Sequence, residues 1–195
     1  MIDRIAMERA AKAPLWADYA NYCVQLEGGL RQAALEALEL FLRKIEYAPF
    51  QERKCFVSWL MHQAELSDAT ASLVPYPLKK RLIDPTLAQW KEIEPLSSEP
   101  HRWLGTYDHL KRAIMLDPTD EIARRKFIAC IVNDITYSAH ELPSGYLADP
   151  IEDLAALAEA ELAAARLNGD SVRQKAISKI GELKSKIESY LRDRN

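Results

Sequence analysis

Apolar residues in this chain recur mainly at three- and four-residue spacing, the signature of helices that bury one face. Ile2, Ile5, Ala6 and Arg9 predict a short amphipathic helix over residues 2–12, broken at Pro14. Trp16, Tyr19, Ala20, Cys23 and Leu26 then share a helical face, and Gly28 with Gly29 supplies the stop. Leu30, Ala34, Ala37, Phe41 and Ile45 begin again at once. So short a turn predicts an antiparallel hairpin. A third helix is expected over residues 50–66.

The next stretch is irregular. Pro75, Pro77, Pro85, Pro95 and Pro100 cut residues 67–100 into short pieces. Asp84 before Pro85 predicts a helix start there, with Asp as cap and Pro at the first helical position. The short helix should run over residues 85–93. Tyr76 and Trp90 make the segment too apolar for a disordered linker. A helix over residues 101–117 carries Trp103, Tyr107, Leu110 and Ile114, with Gly105 a place to kink it or delay its start. "LDPTD" then stops one helix and starts another: Asp117-Pro118 ends the first, and Thr119 or Asp120 caps the second. Ile122, Phe127, Ile131 and Ile135 follow on one face to about His140. After the loop "ELPSGYLADP", Asp149-Pro150 restarts the chain. Ile151, Leu154, Ala155, Ala158, Leu162 and Ala165 are expected to line one helix of a last hairpin. Ala176, Ile177, Ile180, Leu183, Ile187 and Tyr190 are expected to line the other.

These elements predict an all-α domain of antiparallel helical hairpins, about seven to nine helices, in a repeat-like, right-handed array or bundle. One domain is expected over residues 1–195. It comprises N-terminal hairpins (1–66), a proline-rich connection (67–100), a hairpin (101–140), a loop (141–150) and a C-terminal hairpin (151–194).

Composition sharpens the picture. Hydrophobic residues make up 48% of the chain and only 6 glycines occur, which favours helix. The net charge of −3 argues against a dedicated nucleic-acid binder. Cys23, Cys55 and Cys130 are odd in number and far apart, each within an apolar helical pattern. They are expected to be buried free thiols in a reducing compartment. The N-terminus mixes acids and bases and has no apolar core, so no signal peptide is read there. No run approaches the ~20 apolar residues of a membrane span. The expectation is a cytoplasmic protein.

"LKRAIMLDPTDEIARRKFI" resembles the second helix, joint and following helix of a tetratricopeptide repeat, through Leu110, Ala113, Leu116, Pro118, Ala123 and Phe127. A small residue lets helices approach, Leu116 fills the turn and Pro118 ends the helix. The resemblance implies a structural role for these residues. The preceding repeat helix would fall on residues 88–101, where Pro95 and Pro100 stand, and Ile128 replaces a small residue. The repeat is thus degenerate. The wider pattern "EPHRWLG…LDPTDEIARRKFI…HELPSGYLADP" is similar to a group of small bacterial proteins, a likeness that implies no activity.

Candidate chemistry is sparse. "HELPS" begins like the zinc motif H-E-x-x-H, but Ser144 stands where the second His belongs and Pro143 breaks the helix. His101 and His109 lie two helical turns apart, too far to share a metal unless the chain bends at Gly105. There is no nucleophile elbow and no phosphate-cradling glycine loop. The basic residues of 171–194 read as a solvated face balanced by the acidic helix beside it. No catalytic, metal or cofactor site is assigned. The function expected is a non-catalytic protein-interaction module, an immunity or adaptor protein that binds a protein or peptide. Arg102, Trp103, Arg124, Arg125, His140, Glu141 and Tyr146 are the candidate partner-binding residues. The alternative is a small-ligand-binding protein or enzyme with a pocket between helices near His140 and Glu141.

Overall fold

The computed structural model describes residues 11–67 and 70–194. The helix expected over residues 2–12 lies almost wholly outside them. Among the described residues every regular element is helical and no strand occurs. Packing divides the chain into two compact units, Met1–Pro95 and Leu96–Asn195. The division falls inside the proline-rich stretch.

In the first unit, helices α1 (Ala17–Glu27) and α2 (Arg31–Ile45) form the expected hairpin. Gly29 adopts a positive φ of 75°, which lets the Leu30 N–H reach back to the Gln25 carbonyl at 2.9 Å. Helix α3 (Phe50–Glu65) packs Phe56, Val57 and Leu60 into a core built largely of rings. Phe56 lies 4.6 Å from Phe41 and meets Tyr19 and Trp16 edge-on at 5.1 and 5.4 Å, ring centre to ring centre. Such edge contacts suit the ring quadrupoles. The two tyrosines find partners for their hydroxyls: Tyr19 donates to the Leu73 carbonyl at 2.7 Å and Tyr22 to that of Ser72 at 2.6 Å. These bonds tie the short helix α4 (Thr70–Leu73) to the hairpin.

The proline-rich stretch is more regular than expected. Helix α5 (Tyr76–Leu78) runs through a π-helical turn, Lys79–Ile83, into α6 (Asp84–Ile93) without a break. Asp84 is therefore no helix cap, and the expected start at Pro85 is corrected: Asp84 has helical dihedrals itself. A proline inside an α-helix has no N–H to offer and clashes with the preceding turn. The wider π winding just ahead of Pro85 fits the way helices absorb an irregularity. The carboxylate of Asp84 instead receives Lys79 at 2.6 Å and Lys80 at 3.2 Å. Burial pushes its pKa up, and these two ammonium groups outweigh it and hold it below the usual range. Arg81 leaves the same turn for Glu46 and Glu39, at 2.6 Å each.

In the second unit, the helix expected over residues 101–117 is two: α7 (Glu99–Leu104) and α8 (Tyr107–Leu116). Gly105 divides them with a φ of 72°, a conformation that costs glycine little. Helices α9 (Glu121–Ser138), α10 (Pro150–Ala164) and α11 (Asp170–Arg192) complete the unit. Asp149 caps α10 by accepting the Ile151 N–H at 2.7 Å, with Pro150 in the first turn, as its sequence predicts. The core is aliphatic: Ile128, Ile131 and Ile135 meet Leu157, Ile180, Leu183 and Ile187. Ala113, Ala123, Ala160 and Ala164 are fully enclosed.

The face of α10 is a second correction. Ile151, Ala155, Ala158, Leu162 and Ala165 are exposed, while Leu157, Ala160 and Ala164 are buried. Alanine occupies so many positions of this helix that several faces read as apolar. The buried one is set by the fit of Leu157 and small residues against α9 and α11. The thiols divide as well: Cys23 is buried, Cys130 half-buried and Cys55 exposed, so burial of all three does not hold. Cys55 stands beside Phe56 and Val57 but on the outer side of α3. No helix of the described residues is long and apolar enough to cross a membrane.

Candidate functional site

The joint between α8 and α9 is a polar knot. Asp117 accepts from the Thr119 N–H at 2.9 Å and its hydroxyl at 2.6 Å, and these bonds hold its carboxyl below the usual range. Asp120 caps α9 through the Ala123 N–H at 2.9 Å. Its other oxygen receives Arg102 at 3.0 Å, and its side chain is 1% exposed. Arg124 donates to the Pro118 carbonyl, to the Arg166 carbonyl at 3.1 Å and to Glu121 at 3.2 Å. Glu121 in turn accepts from the Asn168 backbone N–H at 3.1 Å and its side-chain amide at 3.3 Å. The joint is thereby tied to the turn between α10 and α11.

This knot reassigns several residues. Arg124 is only 5% exposed and spends its guanidinium on backbone carbonyls and Glu121, so it belongs to the fold's framework. Arg125 beside it is exposed. Arg102 lies between Asp120 and Glu99, and its guanidinium covers the ring of Trp103, itself buried. Tyr146 folds back from its loop, donates to Asp153 at 2.6 Å and rests against Tyr190. Burial, then the bond to Asp153, pushes its phenol above the usual range. His140 and Glu141 are exposed and paired with each other at 2.9 Å. The bend at Gly105 brings His101 and His109 together, Nδ1 to Nδ1 at 2.9 Å. Two ligands do not make a centre, and no group of three or more His, Cys, Asp or Glu able to hold a metal occurs among the described residues.

The concavities of the second unit include a groove and a cleft. The first is a groove of about 270 Å³ floored by Ile114, Phe127 and Ala163. Met115 and Leu162 stand at its lip, 67% and 71% exposed. Lys111, Arg124 and Arg166 line it against a single carboxylate, Glu159. Glu159 accepts from Lys111 at 2.8 Å and from the Tyr107 hydroxyl at 2.8 Å, and these bonds hold its pKa below the usual range. Arg166 is exposed and makes no side-chain hydrogen bond or ion pair among the described residues.

The second is a cleft of about 450 Å³ between the end of α9, the loop after it and the last turns of α11. Ala139, Leu142, Leu183 and Tyr190 supply its apolar wall. Thr136, His140, Lys179, Lys186 and Ser189 supply its polar side, with Asp193 at one end. Of the residues singled out from sequence, His140 alone lines this cleft, and Arg124 alone lines the groove. Met115 was not singled out and Leu162 was expected inside the hairpin, because exposure depends on which helix face is buried. Lys186 and Ser189 were not singled out either, because the long basic helix gives every lysine the same local pattern. No family model, curated protein or solved structure matches this chain.

Proposed function

We propose that this protein is a non-catalytic interaction module, and that the groove between α8, α9 and α10 seats an amphipathic helical segment of a protein partner. One observation carries the reading. Met115 and Leu162 present large apolar side chains to water at the edge of an apolar floor. Large apolar groups placed together at a concave surface mark an interaction site more often than isolated ones do. The rim selects the partner's charge. Of the three cations that line it, Lys111 is paired with Glu159 and Arg124 with Glu121, which leaves the exposed Arg166 to meet an acidic group. A segment with apolar anchors at helical spacing and Asp or Glu beside them meets both features. The degenerate tetratricopeptide-like reading of the joint fits this use, since stacked hairpins commonly present a groove. An immunity or adaptor protein works in this way, by covering a surface of its target.

Selection from a displayed library of random helical peptides tests the reading. The expected winners carry apolar residues three and four apart flanked by acids, and they fail to bind the double variant Met115→Ser/Leu162→Ser. Peptides without that pattern, or equal capture by the double variant, would remove the groove as the binding site.

A further inference from the structure

We infer that the cleft between α9 and α11 binds a small organic anion: an aromatic or branched body bearing a carboxylate or phosphate. The inference stands apart from the groove and shares no lining residue with it.

The local sequence builds the cleft. Lys179, Leu183, Lys186 and Tyr190 follow one another at four, three and four residues along α11, so they share a stripe of that helix. The stripe alternates cation and apolar group. Leu183 and Tyr190 are buried and form the inner wall, whereas Lys179 and Lys186 reach the opening. The loop after α9 closes the opposite side with Leu142 and Pro143. A volume of about 450 Å³ is in the range of small-molecule sites.

The polar groups are unevenly committed, and that fixes the ligand's charge. Lys186 makes no hydrogen bond or ion pair among the described residues. Ser189, one turn on along the same face, has a hydroxyl with no hydrogen-bond partner among the described residues. Lys179 reaches only Glu182, at 3.8 Å on its own helix. Thr136 has already given its proton to the Val132 carbonyl at 2.6 Å. His140 is held by the Tyr137 carbonyl at 2.5 Å and by Glu141. The groups at the opening that no close partner holds are therefore two ammonium groups and one hydroxyl, all able to donate, set three and seven residues apart. Such a set takes an oxyanion. Asp193 lies at the far end of the cleft and repels one there. The anion therefore sits over Lys179 and Lys186, and its apolar body lies inward against Leu183, Leu142 and Tyr190. Inorganic phosphate alone leaves the apolar wall in water, and a neutral ring alone leaves the lysines unused.

The test uses the full chain and three probes: phenyl phosphate, inorganic phosphate and phenol. Each is titrated while backbone amide shifts are followed by nuclear magnetic resonance. Phenyl phosphate is expected to move amides of residues 136–143 and 179–193, at lower concentration than either fragment. Lys186→Gln should weaken phenyl phosphate about tenfold, the worth of one charge-assisted hydrogen bond. Lys186→Arg should largely retain it, and Lys175→Gln, outside the cleft, should leave it unchanged. An unchanged urea midpoint checks that Lys186→Gln is folded. Shifts confined to other regions would overturn the inference. So would equal binding of inorganic and phenyl phosphate, or equal loss in the Lys175→Gln variant.

Discussion

The two units solve the same problem with different side chains. The first fills its interior with rings: Trp16, Tyr19, Phe41, Phe56 and Trp59 lie within 4.6–6.1 Å of one another where they meet. Few residues then bury much area. The second fills its interior with isoleucine, leucine and alanine, and draws its helices together at Ala113, Ala123, Ala160 and Ala164. Phe127 adds a ring to this core, beside Tyr107 at 5.3 Å, and the unit's concavities lie at the core's edge. The groove and the cleft arise where α8, α10 and α11 end or diverge from α9. The difference teaches where stability is concentrated. In the first unit it should rest on single large residues. In the second it should be spread over small contacts and the knot at the joint.

Replacing Phe56 by alanine is the harshest way to break that contrast. Phe56 is fully buried among four rings, and its loss should cost ~3–5 kcal/mol. Hydrogen exchange in increasing urea, read peptide by peptide, should show protection of α1–α3 collapsing at lower urea. An unchanged midpoint there would mean that the ring cluster is not the core of the unit. Asp120→Ala attacks the second unit instead. It leaves the Ala123 N–H without its cap and takes the buried carboxylate away from Arg102, and should cost ~2–3 kcal/mol. Asp120→Asn can still cap the helix and should cost less. Equal losses in the two variants would place the whole effect in the charge pair.

The knot also marks the limit of what the sequence discloses. The helix boundaries were legible where glycine and Asp-Pro punctuate the chain, at Gly28-Gly29, Asp117-Pro118 and Asp149-Pro150. Proline misled at Pro85, because a π turn ahead of it is not visible in residue spacing. The face of α10 misled because alanine carries almost no directional signal. Arg102 and Arg124 were singled out as partner-binding residues, yet each also binds a group far along the chain, 18 and 42 residues away. No local pattern announces such a pairing. His140 was legible, as a polar residue at a helix end beside an apolar loop. Lys186 and Ser189 were not, because only the fold distinguishes them from their neighbours on α11.

Ala113→Leu probes the close approach of helices in the second unit. Ala113 is fully buried, and the added bulk should strain the contact by ~1–3 kcal/mol. The same exchange experiment should show loss of protection in α8 and α9 and none in α1–α3. Full protection in α8 and α9 would show that the joint has room to spare. The alanine contacts would then not be what holds this unit together.

The mildest probe leaves every contact in place and reads the two interiors through their thiols. Cys23 lies in the ring-filled core, and burial pushes its pKa up to about 12, against the opposing pull of a hydrogen bond with Tyr19. At pH 8 its reactive thiolate is then on the order of one part in ten thousand. Cys130, half-buried in the aliphatic unit, is raised first by burial and then by Asp134 beside it. Cys55 stands exposed on α3, with Gln51 donating to its sulfur at 3.6 Å. Iodoacetamide at pH 8 should therefore modify Cys55 first, Cys130 more slowly and Cys23 last, as followed by peptide mass spectrometry. Because Cys23 reacts only when its core opens, Phe56→Ala should speed its labelling and leave that of Cys130 unchanged. Labelling of Cys23 as fast as that of Cys55 would mean that the ring-filled interior admits reagent, and the contrast between the two cores would fail.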